Sequence, residues 1–140
     1  MAYWLLKTEP EEFSWNDQVE RGAKGETWSG VRNYIARGNL KKMKKGERAF
    51  FYHTGKEKQV VGIAEVIEEA YPDPTADGGG WVCVDMRAVE PLPRPVSLAE
   101  IKADPALKDM ALVRYSRLSV SAVAPEAWQH ILTLAGRKRP

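Results

Sequence analysis

Three stretches of the sequence bring aromatic rings, cations and hydrogen-bonding side chains close enough to act together. The first runs from Thr27 to Tyr34 and holds Trp28, Arg32 and Asn33. An indole face stacks on a nucleobase, worth about 1–3 kcal/mol per base. A guanidinium forks onto a phosphate or a guanine edge, and a carboxamide offers a donor and an acceptor to a base edge. The plainer reading makes Trp28 a core anchor, pairs Arg32 with a carboxylate and leaves Asn33 as a helix cap. Local sequence alone favours that plainer reading. The second stretch is Phe50 to Thr54. Strand alternation puts Phe50, Tyr52 and Thr54 on one face and Phe51 and His53 on the other. A catalytic His53 would need a nucleophile and an orienting acid, and no G-x-S-x-G elbow supplies one. A hydrogen-bonded structural histidine is the better reading. In the third stretch, Arg114 and Arg117 flank small hydroxyls and suit phosphates. Equally, they suit salt bridges to the acidic residues of segment 65–69.

Charge is unevenly spread. The net charge is only +2, from 21 basic and 19 acidic residues. Residues 1–20 hold one basic and five acidic groups, and residues 21–58 hold eleven and three. Residues 59–113 hold four and ten, and residues 114–140 hold five and one. A nearly neutral chain can therefore own a basic face. Runs such as Lys41 to Lys45 read by charge alone as solvated helix surface. Cys83 is the single cysteine, so no internal disulfide can form, and its alternating surroundings read as buried strand. One Cys and two His cannot build an all-Cys/His zinc site, and no HExxH, EF-hand or phosphate-loop motif is present. No metal or cofactor is expected. No apolar run reaches eighteen residues, and the N-terminal stretch lacks the basic-then-apolar pattern of a secretory signal. A cytoplasmic protein without a membrane partner is the expectation.

A single domain has to position these residues, since 140 residues suit one and not two. At 44% apolar and 29% charged, the composition is that of a globular chain. Tyr3 to Lys7 reads as a strand. Ser14 and Asp17 have capping-box spacing and open a short helix to Glu20. Asn33 caps a helix to about Met43, with Ile35, Leu40 and Met43 predicted as its buried stripe. Arg48–Thr54, Gln59–Ile67 and Trp81–Val89 read as strands. Segment 73–80, with three consecutive glycines, reads as a flexible tip. Pro91, Pro93 and Pro95 mark an extended connector, and Ser97 with Glu100 opens a short helix. Leu118–Val123 is a late strand, and Pro125 starts a terminal helix ending near Ala135. Residues 137–140 form a basic tail behind a domain spanning residues 1–136. The expected fold is α+β, a small mixed, partly closed β-barrel with short peripheral helices.

Six of these stretches, in order, resemble the EVE domain of the PUA-like superfamily. They are segments 3–10, 28–34, 50–54, 61–66, 70–73 and 112–120. The resemblance implies a PUA-like mixed β-barrel. It also implies a relationship to YTH readers of methylated adenine, and recognition of modified bases such as methylated or hydroxymethylated cytosine. In the YTH pattern an aromatic cage holds the base. Trp28 falls at the first cage position, and Tyr71 and Trp81 are the candidates for the second. Lys7 to Pro10 falls where that pattern reads the base edge. Thr8 stands where family members often carry Ser, and Ser29 where they often carry Asp; both replacements are small and polar.

Joined to the residue-level reading, the expected site has Trp28, Tyr71 and Trp81 as aromatic faces. Thr8, Ser14, Asn33 and His53 are its polar readers, with Arg32, Arg37, Lys41, Arg114 and Arg117 as its phosphate rim. The expected function is non-enzymatic binding of DNA or RNA carrying a modified base. A general RNA-binding module indifferent to modification is the alternative. An enzyme acting on a nucleotide or small molecule, using His53 with Glu9 or Asp85, comes last because no catalytic constellation is visible.

Overall fold

The computed structural model describes residues 2–136. Its centre is one six-stranded mixed sheet in the order β2-β5-β4-β3-β1-β6. The strands are β1 (Tyr3–Thr8), β2 (Glu26–Trp28), β3 (Arg48–His53), β4 (Gln59–Pro72), β5 (Val82–Ser97) and β6 (Val120–Val123). Only β1 and β3 pair in parallel; the other neighbours are antiparallel. The sheet is open, with β2 and β6 at its edges, which corrects the expected partial closure into a barrel. Closure would need those short edge strands to meet, and helices lie against the sheet instead.

Both faces of the sheet's centre are buried, because β1 and β3 carry consecutive apolar residues, Tyr3 to Leu6 and Ala49 to Tyr52, and not just alternate ones. Leu5, Phe50 and Tyr52 point into one core with Val96, Ile101 and Trp128. Trp4, Leu6 and Phe51 point into the other with Trp15, Trp28, Leu40 and Met86. The first core is covered by α3 (Leu98–Ala103), α4 (Ala111–Arg114) and α5 (Pro125–Leu134). The second is covered by α1 (Trp15–Glu20) and α2 (Tyr34–Lys42). Trp15 can lie on β4 because Gly62 has no side chain: a Cβ there would come within 2.6 Å of the indole.

Local signals match the helix starts. Ser14 and Ser97 both form complete capping boxes, with Asp17 and Glu100, and Asn33 Oδ1 accepts from Ala36 N at 2.9 Å. Other details differ. Ile35 is 66% exposed, and the buried stripe of α2 runs through Ala36 and Leu40 to Met43. No alternation signal marks Glu26–Trp28 as a strand, since three residues are too few, and pairing to β5 creates it. The connector containing Pro91, Pro93 and Pro95 belongs to β5, but residues 92–95 bulge away from β4 between the pairs Gly62↔Pro91 and Val60↔Val96. A missing N–H at Pro93 or Pro95 therefore costs no ladder bond. The expected tail 137–140 lies outside the described residues.

Candidate nucleic-acid interface

A cavity of about 720 Å³ opens where the C-terminal end of β1, the loop before α1, the β2–α2 loop and the α4–β6 loop meet. That volume lies within the range of about 300–1,000 Å³ usual for small-molecule sites. Its aromatic walls are Trp28 and Phe13, whose rings meet edge to face at 6.2 Å. Trp28 also meets Phe51 edge to face at 5.6 Å and is only 8% exposed, so it is core anchor and cavity wall together. β1 contributes Lys7 and Thr8, the β2–α2 loop contributes Ser29 to Arg32, and the α4–β6 loop contributes Ser116, Arg117 and Ser119. The cations around it are Lys7, Arg21, Arg32 and Arg117, and the acids are Glu9, Glu12 and Glu26. Arg21 is committed to Glu26 at 3.1 Å. Lys7 Nζ donates to the Ser116 carbonyl at 2.8 Å, and burial pushes its pKa down. Arg117 is exposed and has no acidic partner among the described residues.

The β2–α2 wall is held by one buried carboxylate. Asp73 Oδ2 accepts from Gly30 N at 2.8 Å and Arg32 Nη1 at 3.1 Å. Its Oδ1 accepts from Thr75 N at 2.7 Å and Thr75 Oγ1 at 2.6 Å. Burial alone would raise the Asp73 pKa, but the Thr75 hydroxyl, the Gly30 and Thr75 N–H groups and Arg32 outweigh it. The net effect holds the carboxyl well below the usual range. Arg32 thus pairs with a carboxylate, as the plainer reading has it, while still lining the cavity.

The predicted site residues divide into two sets. Thr8, Trp28, Arg32 and Arg117 line the cavity. Thr8 Oγ1 donates to the Phe13 carbonyl at 2.9 Å, fixing the turn that brings Phe13 to the wall. Ser14 and Asn33 are spent as helix caps. His53 is buried beneath α1: its Nε2 accepts from Trp15 N at 3.0 Å, so its Nδ1 carries the proton toward Glu57 at 2.9 Å. Tyr71 reaches across β5, donating to Asp85 Oδ1 at 2.5 Å and accepting from Thr27 Oγ1 at 3.1 Å. The bond to Asp85 pushes its phenol up to about 12, although the bond from Thr27, which favours the phenolate, opposes it. Trp81 stacks on Tyr34 outside the cavity. Arg37 lies against those two rings. Lys41 is exposed on α2. Arg114 pairs with Asp109 at 3.1 Å, and Glu65 pairs with Arg87, so the arginine-to-65–69 bridges do not form.

Phe13 is a cavity residue that no motif in the sequence marks. It precedes the cap Ser14, where an apolar residue usually staples onto the fourth helical position. Here that position is Gln18, which cannot serve, and this was the available sign that Phe13 packs elsewhere. Among the described residues no three His, Cys, Asp or Glu side chains converge as metal ligands. Cys83 is buried, and burial raises its thiol pKa. No helix among the described residues is long and apolar enough to cross a membrane.

Comparison with known proteins adds a family to this geometry. Residues 2–134 match the EVE domain. The chain belongs to the EVE family. This EVE protein is 34% identical to human thymocyte nuclear protein 1, over 95% of this chain and 73% of that one. An NMR structure of a Rhodopseudomonas palustris protein matches with a TM-score of 0.94 at 51% identity, covering 100% of this chain and 97% of the other. The crystal structure of human thymocyte nuclear protein 1 in complex with 5-methylcytosine containing DNA matches with a TM-score of 0.90 at 34% identity, over 100% of both chains. A Zygosaccharomyces rouxii YTH domain, in complex with N6-methyladenosine RNA, matches with a TM-score of 0.58 at 18% identity, covering 99% of this chain and 87% of the other. That last likeness is one of fold alone: the chain is folded like a YTH domain.

Proposed function

We propose that this EVE protein is a non-enzymatic nucleic-acid-binding module that takes one modified base, a methylated or hydroxymethylated cytosine, into the cavity beside Trp28. The observation that carries the reading is the wall pair Trp28 and Phe13, with Arg32 and Arg117 at the same cavity. Support also comes from the human relative, whose structure is in complex with 5-methylcytosine containing DNA. A base reaching this cavity from a duplex must flip out, at a cost of about a few kcal/mol. Stacking, edge hydrogen bonds and the two arginines offset that cost. A methyl group contributes about 0.8 kcal/mol when buried, a factor of about four in affinity. Larger selectivity would require a hydrogen bond or a steric block against the unmodified base.

The test is a tryptophan-fluorescence titration with short DNA and RNA strands, unmodified or carrying methylcytosine, hydroxymethylcytosine or methyladenine, at two salt concentrations. The expected result is tightest binding to one cytosine modification, weakened by salt and by replacing Trp28 with Phe. Equal affinity for modified and unmodified RNA would replace this reading with a general RNA-binding module.

A further inference from the structure

Outside the cavity lies an aromatic–cationic surface that the base-binding site does not use. Tyr34, the first residue of α2, is 72% exposed. One face of the ring lies on Trp81, with centroids 5.2 Å apart and planes 29° apart. Arg37, one turn further along α2, holds its guanidinium 4.8 Å from the Tyr34 ring centre and 4.9 Å from that of Trp81. Arg37 has no carboxylate partner among the described residues; its Nη1 donates to the Gly79 carbonyl at 3.0 Å.

The loop beneath this stack is shaped to hold it. Gly78, Gly79 and Gly80 have φ of +79°, +83° and +73°, a run that side-chain-bearing residues resist. A Cβ on Gly79 would come within 3.0 Å of the Trp81 indole nitrogen, and one on Gly80 within 3.3 Å of Arg37 Nη1. Gly79 and Gly80 therefore lie close against Trp81 and Arg37, while Gly78 meets nothing within 4 Å. Arg32 joins this surface to the cavity. Its guanidinium lines the cavity and also lies 5.8 Å from the Trp81 ring centre.

We infer that the Tyr34–Trp81–Arg37 stack is a second nucleotide site, which takes an unpaired base neighbouring the one in the cavity. The neighbouring base stacks on the outer face of Tyr34, and its phosphate lies against Arg37. Positive charge and a preassembled aromatic stack together suit a nucleotide, which brings a π face and an anion, better than they suit an apolar partner. The inference rests on the proposed base-binding reading for its register, but the surface can be tested separately.

The experiment measures fluorescence anisotropy of a labelled single-stranded DNA with one central methylcytosine. Four strands are compared: intact, abasic at the neighbour on the 5′ side of the methylcytosine, abasic at the neighbour on the 3′ side, and abasic at the centre. The proteins are the wild type, Tyr34→Ala and Tyr34→Phe. Tyr34 is exposed, so neither substitution threatens the fold. Loss of one stacked base should weaken wild-type binding about tenfold. That loss should appear for one neighbour position, and Tyr34→Ala should show the same weakening with no further effect of the abasic neighbour. Tyr34→Phe, which keeps the ring, should bind like the wild type. Equal binding of wild type and Tyr34→Ala to the intact strand would overturn the inference, as would failure of every strand to bind. The central abasic strand reports on the cavity alone. If it binds the wild type as well as the intact strand does, the base-binding reading fails, whereas a Tyr34-dependent loss would still support the second site.

Discussion

The carboxylate of Asp73 offers the sharpest test of how this fold holds its candidate site. Its two oxygens accept four hydrogen bonds, two from Thr75 and one each from Gly30 and Arg32. Asp73→Asn keeps the shape but turns one acceptor into a donor. The less costly orientation faces the new amide toward Thr75, whose hydroxyl can rotate to accept. The Thr75 N–H then meets a donor and loses its partner. A buried unpaired N–H costs about 1–3 kcal/mol, and losing the charge on the remaining bonds adds about 1 kcal/mol. The expected loss at neutral pH is thus about 2–4 kcal/mol, or about 6–15 °C in Tm for a domain of this size. The pH dependence follows from the direction of the shift. Asp73 is held below its ordinary value in the fold, so between the folded value and about 3.9 the unfolded chain binds more protons. Its contribution is complete above about pH 4 and is lost as the pH falls toward the folded value. Urea unfolding of both proteins at neutral, mildly acidic and strongly acidic pH reads this directly. The gap between wild type and Asp73→Asn should narrow only below about pH 4. A gap under about 1 kcal/mol at neutral pH, or one unchanged on acidification, would refute this account of the wall.

Other sites give separate tests. Trp28→Ala should cost about 3–5 kcal/mol of stability, since the ring is core as well as cavity wall; chemical denaturation measures it. Gly62→Ala should destabilise by about 1–3 kcal/mol, because its methyl group would collide with Trp15, and the near-ultraviolet circular dichroism of the indole should change with it. Tyr71 should ionise only near pH 12, so phenolate absorbance should show a late step that Tyr71→Phe removes. Stability should correspondingly fall as the pH rises from about 10, the unfolded value, toward 12.

What the sequence determined by itself is local or periodic. Ser14, Asn33 and Ser97 mark helix starts because a cap side chain bonds to backbone two or three residues away. The apolar runs in β1 and β3 mark strands, and six short stretches in order mark the EVE family. Tertiary structure decided what depends on partners distant in sequence. β2 exists because β5 lies beside it, and Trp28 is buried because Phe51 and Phe13 close over it. Arg32 meets Asp73 41 residues away, a pairing that leaves no trace in the spacing around either residue. Tyr71 and Trp81 stand equally well as cage candidates in one dimension. In the fold, Tyr71 is tied across β5 to Asp85 and Thr27, and Trp81 is drawn out to Tyr34. Phe13 takes the second wall in their place, because the Thr8 hydroxyl fixes its carbonyl and Gln18 cannot staple its ring. A side chain's type says what it can bind, but the long-range contacts around it decide what it is free to bind.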